Sequence, residues 1–164
     1  MLCQEKLRYA GRMIQLERKM STWNEITNDQ QLLEFAELTN HFHDSCIKEL
    51  RYISGAYVDS DLWMHPLNDQ RLLRMVIQCQ SKKHPVIEME FGGLKYLKLS
   101  PVGTDYTCEI TDTTMFMKSH CVYWCDSGGL TEHDFEDGCS TIVCSEKLRW
   151  RLLDESYLGN AVIF

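Results

Sequence analysis

Two hydrophobic periods divide the chain: up to about residue 40 apolar residues recur at helical spacing, and from Phe42 onward the spacing drops to two. In residues 2–19, Leu7, Ala10 and Ile14 share one face with Met13 and Leu16 close by, which predicts an amphipathic helix weakened by Gly11. Thr27-Asn28-Asp29-Gln30 fits the Ser/Thr-x-x-Glu/Gln capping box. Leu32, Phe35 and Ala36 follow on one face, so a second, short helix is expected to end near Asn40. Further on, Leu73, Met75, Ile77 and Cys79 alternate with Arg74, Val76, Gln78 and Gln80, and Ile87, Met89 and Phe91 alternate with Glu88 and Glu90, the mark of half-buried strands. Gly92-Gly93 supplies the positive φ angles of a tight turn and predicts a hairpin into the apolar run 94–99. More alternating runs lie at 105–111, 113–118, 121–125, 141–144 and 147–153. In the last, Leu148, Trp150 and Leu152 oppose Lys147, Arg149 and Arg151.

Helices at the front and many short strands behind predict an α+β fold: N-terminal helices followed by a mainly antiparallel β-meander sheet or half-barrel. At 164 residues and 19.2 kDa, without internal repeat or linker, the chain reads as a single domain over 1–164. Residues 1–20 read as an appended N-terminal helix, because Lys6, Arg8, Arg12, Arg18 and Lys19 set their charge apart. The apolar tail Ala161-Val-Ile-Phe164 is expected to dock, since left exposed it is an association site. That tail and the open strand edges also allow a homodimer. No apolar run approaches the roughly 18–20 residues of a membrane-spanning helix, so no membrane partner is expected.

A formal net charge of −7 disfavours nucleic acid as a partner and favours a protein of basic character. The eight cysteines are even in number, yet no apolar signal core precedes them, so free thiols in a cytoplasmic setting are expected rather than a disulfide framework.

His41-x-His43 with Asp44 and Cys46 is the densest cluster of metal-ligand types. Alternate residues of a strand share a face about 6.6 Å apart, so His41, His43 and Asp44 are the candidate zinc ligands, set against structural or capping roles at a helix-to-strand junction. Cys121-x₃-Cys125 argues against zinc, because the ends of such a strand lie about 13 Å apart while two thiolates on one zinc sit within roughly 4 Å. Asp126-Ser-Gly-Gly and Glu132-His-Asp-Phe-Glu-Asp137-Gly138 concentrate acidic oxygens but lack the alternation of an EF-hand loop. Glu132, Asp134, Glu136 and Asp137 are therefore candidate contacts to a basic partner. No nucleophile elbow, phosphate-binding loop, dinucleotide fingerprint or H-E-x-x-H occurs, so catalysis is not expected and no cofactor is predicted beyond the zinc alternative.

Phe42-His-Asp-Ser45, the strand that follows it and Val86-Ile-Glu-Met-Glu-Phe-Gly-Gly-Leu94 resemble small uncharacterised bacterial cytosolic proteins that open on an F-H-D-[AS] junction, continue into a β-meander and carry a V-x-L-x-F-x-G-[VL] strand. Some of these are grouped with the immunity proteins of toxin systems. The resemblance implies a cytoplasmic, non-catalytic β-rich domain that binds and neutralises a cognate toxin, with His43 and Asp44 organising the junction. Three classes stand on the sequence: this binding domain, a metal-binding domain, and an enzyme of unrecognised type using Cys or His.

Overall fold

The computed structural model describes residues 22–135 and 140–164, so the helix expected over 2–19 lies outside them. Strand β1 (Asn24–Ile26) precedes the helix α1 (Asp29–Leu38), followed by β2 (Ser45–Ile53), β3 (Tyr57–Val58), β4 (Met64–His65), β5 (Leu72–Cys79), β6 (Val86–Lys98), β7 (Thr114–Lys118), β8 (Cys121–Cys125) and β9 (Ile142–Leu153). Among the described residues, a mostly antiparallel sheet with one α-helix agrees with the α+β class, and the plural N-terminal helices are not borne out. Residues 24–26 ahead of α1 are extended, because Asn24, Glu25 and Ile26 pair with Trp150, Arg149 and Leu148 of β9, which buries Ile26.

The main sheet runs β2-β5-β6-β9-β8-β7, with β1 added to β9. It consists of two three-stranded meanders, β2-β5-β6 and β7-β8-β9, whose long third strands lie antiparallel side by side. Gly92-Gly93 makes no hairpin: β6 continues through it, opposite a β9 that is equally unbroken where two strands were expected. Gly93 has φ +63° and a Cβ there would stand 2.5 Å from Glu146 Oε2, so glycine is needed for a close approach within the strand. The register shifts between Leu94 and Tyr96, a bulge that bends the sheet without ending it. Of the run 105–111, Ile110 alone bridges to Ser45.

One sheet face carries the core. Phe35 of α1 stacks on Trp150 at 4.8 Å and meets Phe42 edge-on, and Phe42 in turn meets Trp124 edge-on at 6.3 Å. Leu73, Met75, Ile77, Ile87, Met89 and Phe91 fill the space beneath, as their alternation predicts. The opposite face overturns the solvent exposure that Glu88 and Glu90 suggest: both are buried, at 2% and 6% exposure. Cross-strand register explains it, since Glu90 lies between Arg74 and Arg149, and Glu88 opposite Arg151. Arg149 Nε donates to Glu90 at 2.7 Å, Arg74 Nε at 3.0 Å, and Arg151 Nε to Glu88 at 2.6 Å. Trp23 covers both Arg149 and Arg151, its ring centre 4.6 and 4.4 Å from their guanidinium carbons. Beside this layer the tail docks: Ile163 and Phe164 pack toward Val76, Val86 and Leu153, and the Glu49 carboxylate accepts both their N–H groups.

Candidate functional site

The junction between α1 and β2 is built by hydrogen bonds that force the chain through a tight reversal. Asn28, one residue later than the sequence pattern suggests, caps α1 by accepting from Gln31 N–H at 2.9 Å, while the Gln31 side chain accepts from Thr27 N–H at 2.8 Å. At the other end the Thr39 hydroxyl donates to Phe35 O and Ala36 O and stops the helix. Asn40, His41, Phe42 and Asp44 then all have φ near +50° to +57°, a region bulky L-residues avoid. Fully buried Phe42 is held there by the aromatic core and by the Ser45 hydroxyl, which donates to its carbonyl. Thr113 Oγ1 donates to His41 O, and Gln80 N to Asp44 O.

This reversal sends the two imidazoles into different hollows. His41 faces Asp112, 3.8 Å away, in a groove with Leu32, Leu33 and Met115. His43 holds Asp44 through Nδ1 at 3.0 Å and lines a separate hollow of about 230 Å³. Among the described residues no group of three or more His, Cys, Asp or Glu is placed to hold a metal ion. The 230 Å³ hollow is lined as well by Thr39, Asn40, Cys79, Gln80, Ser81 and His84 and is partly open. Both ring nitrogens of His84 are buried and have no hydrogen-bond partner in the protein. Each unmet buried group costs about 1–3 kcal/mol. Burial pushes the Cys79 thiol up to about 11, which keeps it protonated and unreactive.

In the acidic connection after β8, Asp134 is engaged within its own turn. Asp134 accepts from Thr131 N–H at 2.7 Å and from its hydroxyl at 2.6 Å, which holds its carboxyl below the usual range and closes a short turn. That turn seats Phe135 edge-on against Phe116 and Tyr123. The backbone of Glu132 belongs to the same turn, and Glu136 and Asp137 lie outside the described residues. All six cysteines among the described residues are free thiols.

A feature the periodicity did not reveal leaves the sheet between β2 and β5. Residues 54–70 form an arm whose base is pinched by Ser54 O, which accepts from both Gln70 N and Arg71 N. At the pinch Gly55 has φ +96°, and a Cβ there would stand 1.9 Å from Asp69 Oδ1. The arm is the two-stranded ladder β3-β4, with Tyr57 stacked on His65 at 4.4 Å. Asp59 organises its tip: Oδ1 accepts from Asp61 N and Trp63 N at 3.0 Å each, and Oδ2 holds His65 Nε2 at 2.9 Å. The His65 bond, more than the Trp63 amide, keeps the Asp59 carboxyl below its usual range. This polar frame presents Leu62, Trp63, Met64 and Leu67 at 84, 73, 67 and 73% exposure. Between Tyr52 and Gln70 stand Asp59, Asp61 and Asp69 and no Lys or Arg. The sequence signal was short: a polar Asp-Ser-Asp turn set between Tyr57-Val58 and Leu62-Trp63-Met64.

No family model, curated protein or solved structure matches the chain. Among the described residues no helix is long and apolar enough to cross a membrane.

Proposed function

We propose that the protein is a non-catalytic binding domain that docks a basic protein through the arm 54–70. This is the activity expected of an immunity-type protein acting on a cytoplasmic toxin. The observation that carries the reading is the contiguous exposure of Leu62, Trp63, Met64 and Leu67 on a hydrogen-bonded frame. Exposed apolar patches of this kind mark interaction sites, and Trp is among the residues that most often dominate an interface. A frame set in advance by Asp59 spares the ordering cost of binding. Because Leu62, Trp63, Met64 and Leu67 stand out from the frame into solvent, the partner offers an apolar surface that receives them. Because Asp59, Asp61 and Asp69 flank the apolar tip, the rim of that surface carries Lys or Arg.

The test compares the full chain with Trp63→Ser and with Asp61→Asn as baits in extract of the source cells, with captured proteins identified and quantified by mass spectrometry. One basic protein, held at near-equal stoichiometry, lost with Trp63→Ser and released as salt rises, is the expected result. The same proteins retained equally by all three baits, or a captured protein of acidic character, refutes the assignment. Since Trp63 is mostly exposed, unchanged thermal unfolding separates lost docking from lost folding.

A further inference from the structure

We infer that the cavity of about 540 Å³ bounded by β2 and by the connection from β6 to β7 is a binding site for a small organic amine, its ammonium held by Asp126 and its apolar body lodged against β2. The first observation is where the cavity lies. Its walls come from β2 at one edge of the main sheet, from the two ends of the β6–β7 connection, and from the residues that follow β8 and precede β9. Since β2 and β9 stand three places apart in the sheet, the sheet must curve for both to reach one cavity. Ile47 and Leu50, Leu99, Pro101 and Val102, and Ile110 give it an apolar wall. The volume falls within the roughly 300–1,000 Å³ of small-molecule sites, which favour the mouths of closed or curling sheets. Residues 99–113 carry no helix or named strand, and connections longer than about 12–15 residues without structure of their own are mostly binding or lid segments.

The second observation is a carboxylate without a counter-charge. Asp126 follows β8 directly, lines the cavity and is half-buried. Its Oδ1 accepts from Thr141 N–H at 2.8 Å, which fixes the side chain. Burial acts most strongly on its carboxyl and pushes it up; hydrogen bonds from Thr141 and from its own amide oppose this, and among the described residues no cation does. An ammonium in the cavity supplies the missing charge while the apolar body of the same molecule covers Ile47 and Leu50, so each end of the ligand meets chemistry that suits it. The other lining charges do not reverse the sign: Lys48 and Glu109 are opposite to each other, and the Glu49 carboxylate is taken by the N–H groups of Ile163 and Phe164. An anionic ligand would meet Asp126 as a like charge and is disfavoured. No residue of the arm 54–70 lines the cavity.

Backbone ¹H–¹⁵N spectra of the full labelled protein, titrated at constant ionic strength with 2-phenylethylamine, 2-phenylethanol and phenylacetate, test it, because the three share one apolar body and differ in the charge of the head group. The amine is expected to move the signals of Ser127, Thr141 and Ile110 saturably and to bind at least about tenfold more tightly than the alcohol, the scale of one charge-assisted hydrogen bond. Asp126→Asn keeps an oxygen for the Thr141 amide, so it is expected to fold like the parent and to bind the amine no better than the alcohol. Val102→Arg, on the exposed part of the wall, brings a guanidinium to the cavity and is expected to weaken the amine as well. Signals that stay still with the amine, alcohol or phenylacetate binding as tightly as the amine, or an amine affinity unchanged in Val102→Arg or in a folded Asp126→Asn overturns the proposal.

Discussion

Replacing Arg151 by Met strands Glu88 as a buried carboxylate, and the structure sets the size of the penalty. The Glu88 and Arg151 side chains are 3% and 12% exposed, and Arg151 meets Oε2 through both Nε at 2.6 Å and a terminal nitrogen at 2.5 Å. Breaking a buried pair from one side costs about 3–5 kcal/mol, because the remaining charge keeps its desolvation penalty and loses its compensation. Arg74 stays 3.9 Å from the other Glu88 oxygen, which places the loss near the lower end, about 3 kcal/mol. For a chain of this length that corresponds to a fall in Tm of about 6–12 °C. Removing both partners, Glu88→Met with Arg151→Met, deletes the penalty along with the attraction and is expected to return stability to within about 1 kcal/mol of the parent. Urea unfolding followed by tryptophan fluorescence reads all three proteins. The solvent-facing pair of Lys95 with Glu146 serves as a control, and Lys95→Met is expected to leave the unfolding curve in place. An Arg151→Met cost below about 1 kcal/mol, or a double variant as unstable as the single one, refutes the burial argument.

Three further outcomes are expected. Gly55→Ala forces an L-residue to φ +96° against Asp69, so it should cost about 1–3 kcal/mol and open the arm to limited proteolysis before the sheet unfolds. The Asp59 carboxyl lies below its unfolded value, so its contribution is complete above about pH 4 and is lost as pH falls through the folded value. The amide protection of Asp61 and Trp63, taken relative to the intrinsic exchange rate at each pH, should accordingly fall in acid while β6 stays protected, and an equal loss of protection across the chain would contradict it. With iodoacetamide at pH 8, exposed Cys108 should be alkylated well ahead of Cys79, pushed up to about 11; peptide mapping that finds the reverse order would count against the burial of Cys79.

Legibility followed periodicity. The alternations through Leu73 to Cys79 and Ile87 to Phe91 announced strands, because one face of each packs on the core and the period of two is imposed by that contact. The same rule could not report the burial of Glu88 and Glu90, since residue type says nothing of three arginines arriving from β5 and β9 to neutralise them. Gly92-Gly93 has turn chemistry, yet a local signal cannot report that β9 accompanies β6 past it. His43 and Asp44 lie next to each other in sequence and meet at 3.0 Å, whereas His84, forty residues away in sequence, reaches the same hollow only through the β5–β6 turn. The arm stayed hidden because strands of two residues are too short to show a period.

The pairing of β6 with β9 has a consequence for how the chain is made. Each meander closes through neighbours in sequence, but every contact between the two must wait for the whole stretch from 99 to 141 to be synthesised. Until β9 arrives, β6 presents thirteen residues of open edge with Glu88 and Glu90 lacking Arg149 and Arg151. With Arg74 of β5 as their one shared cation, the two carboxylates leave that edge with a net negative charge, which repels a second copy of the same strand, so the charges buried in the finished sheet disfavour misassembly beforehand.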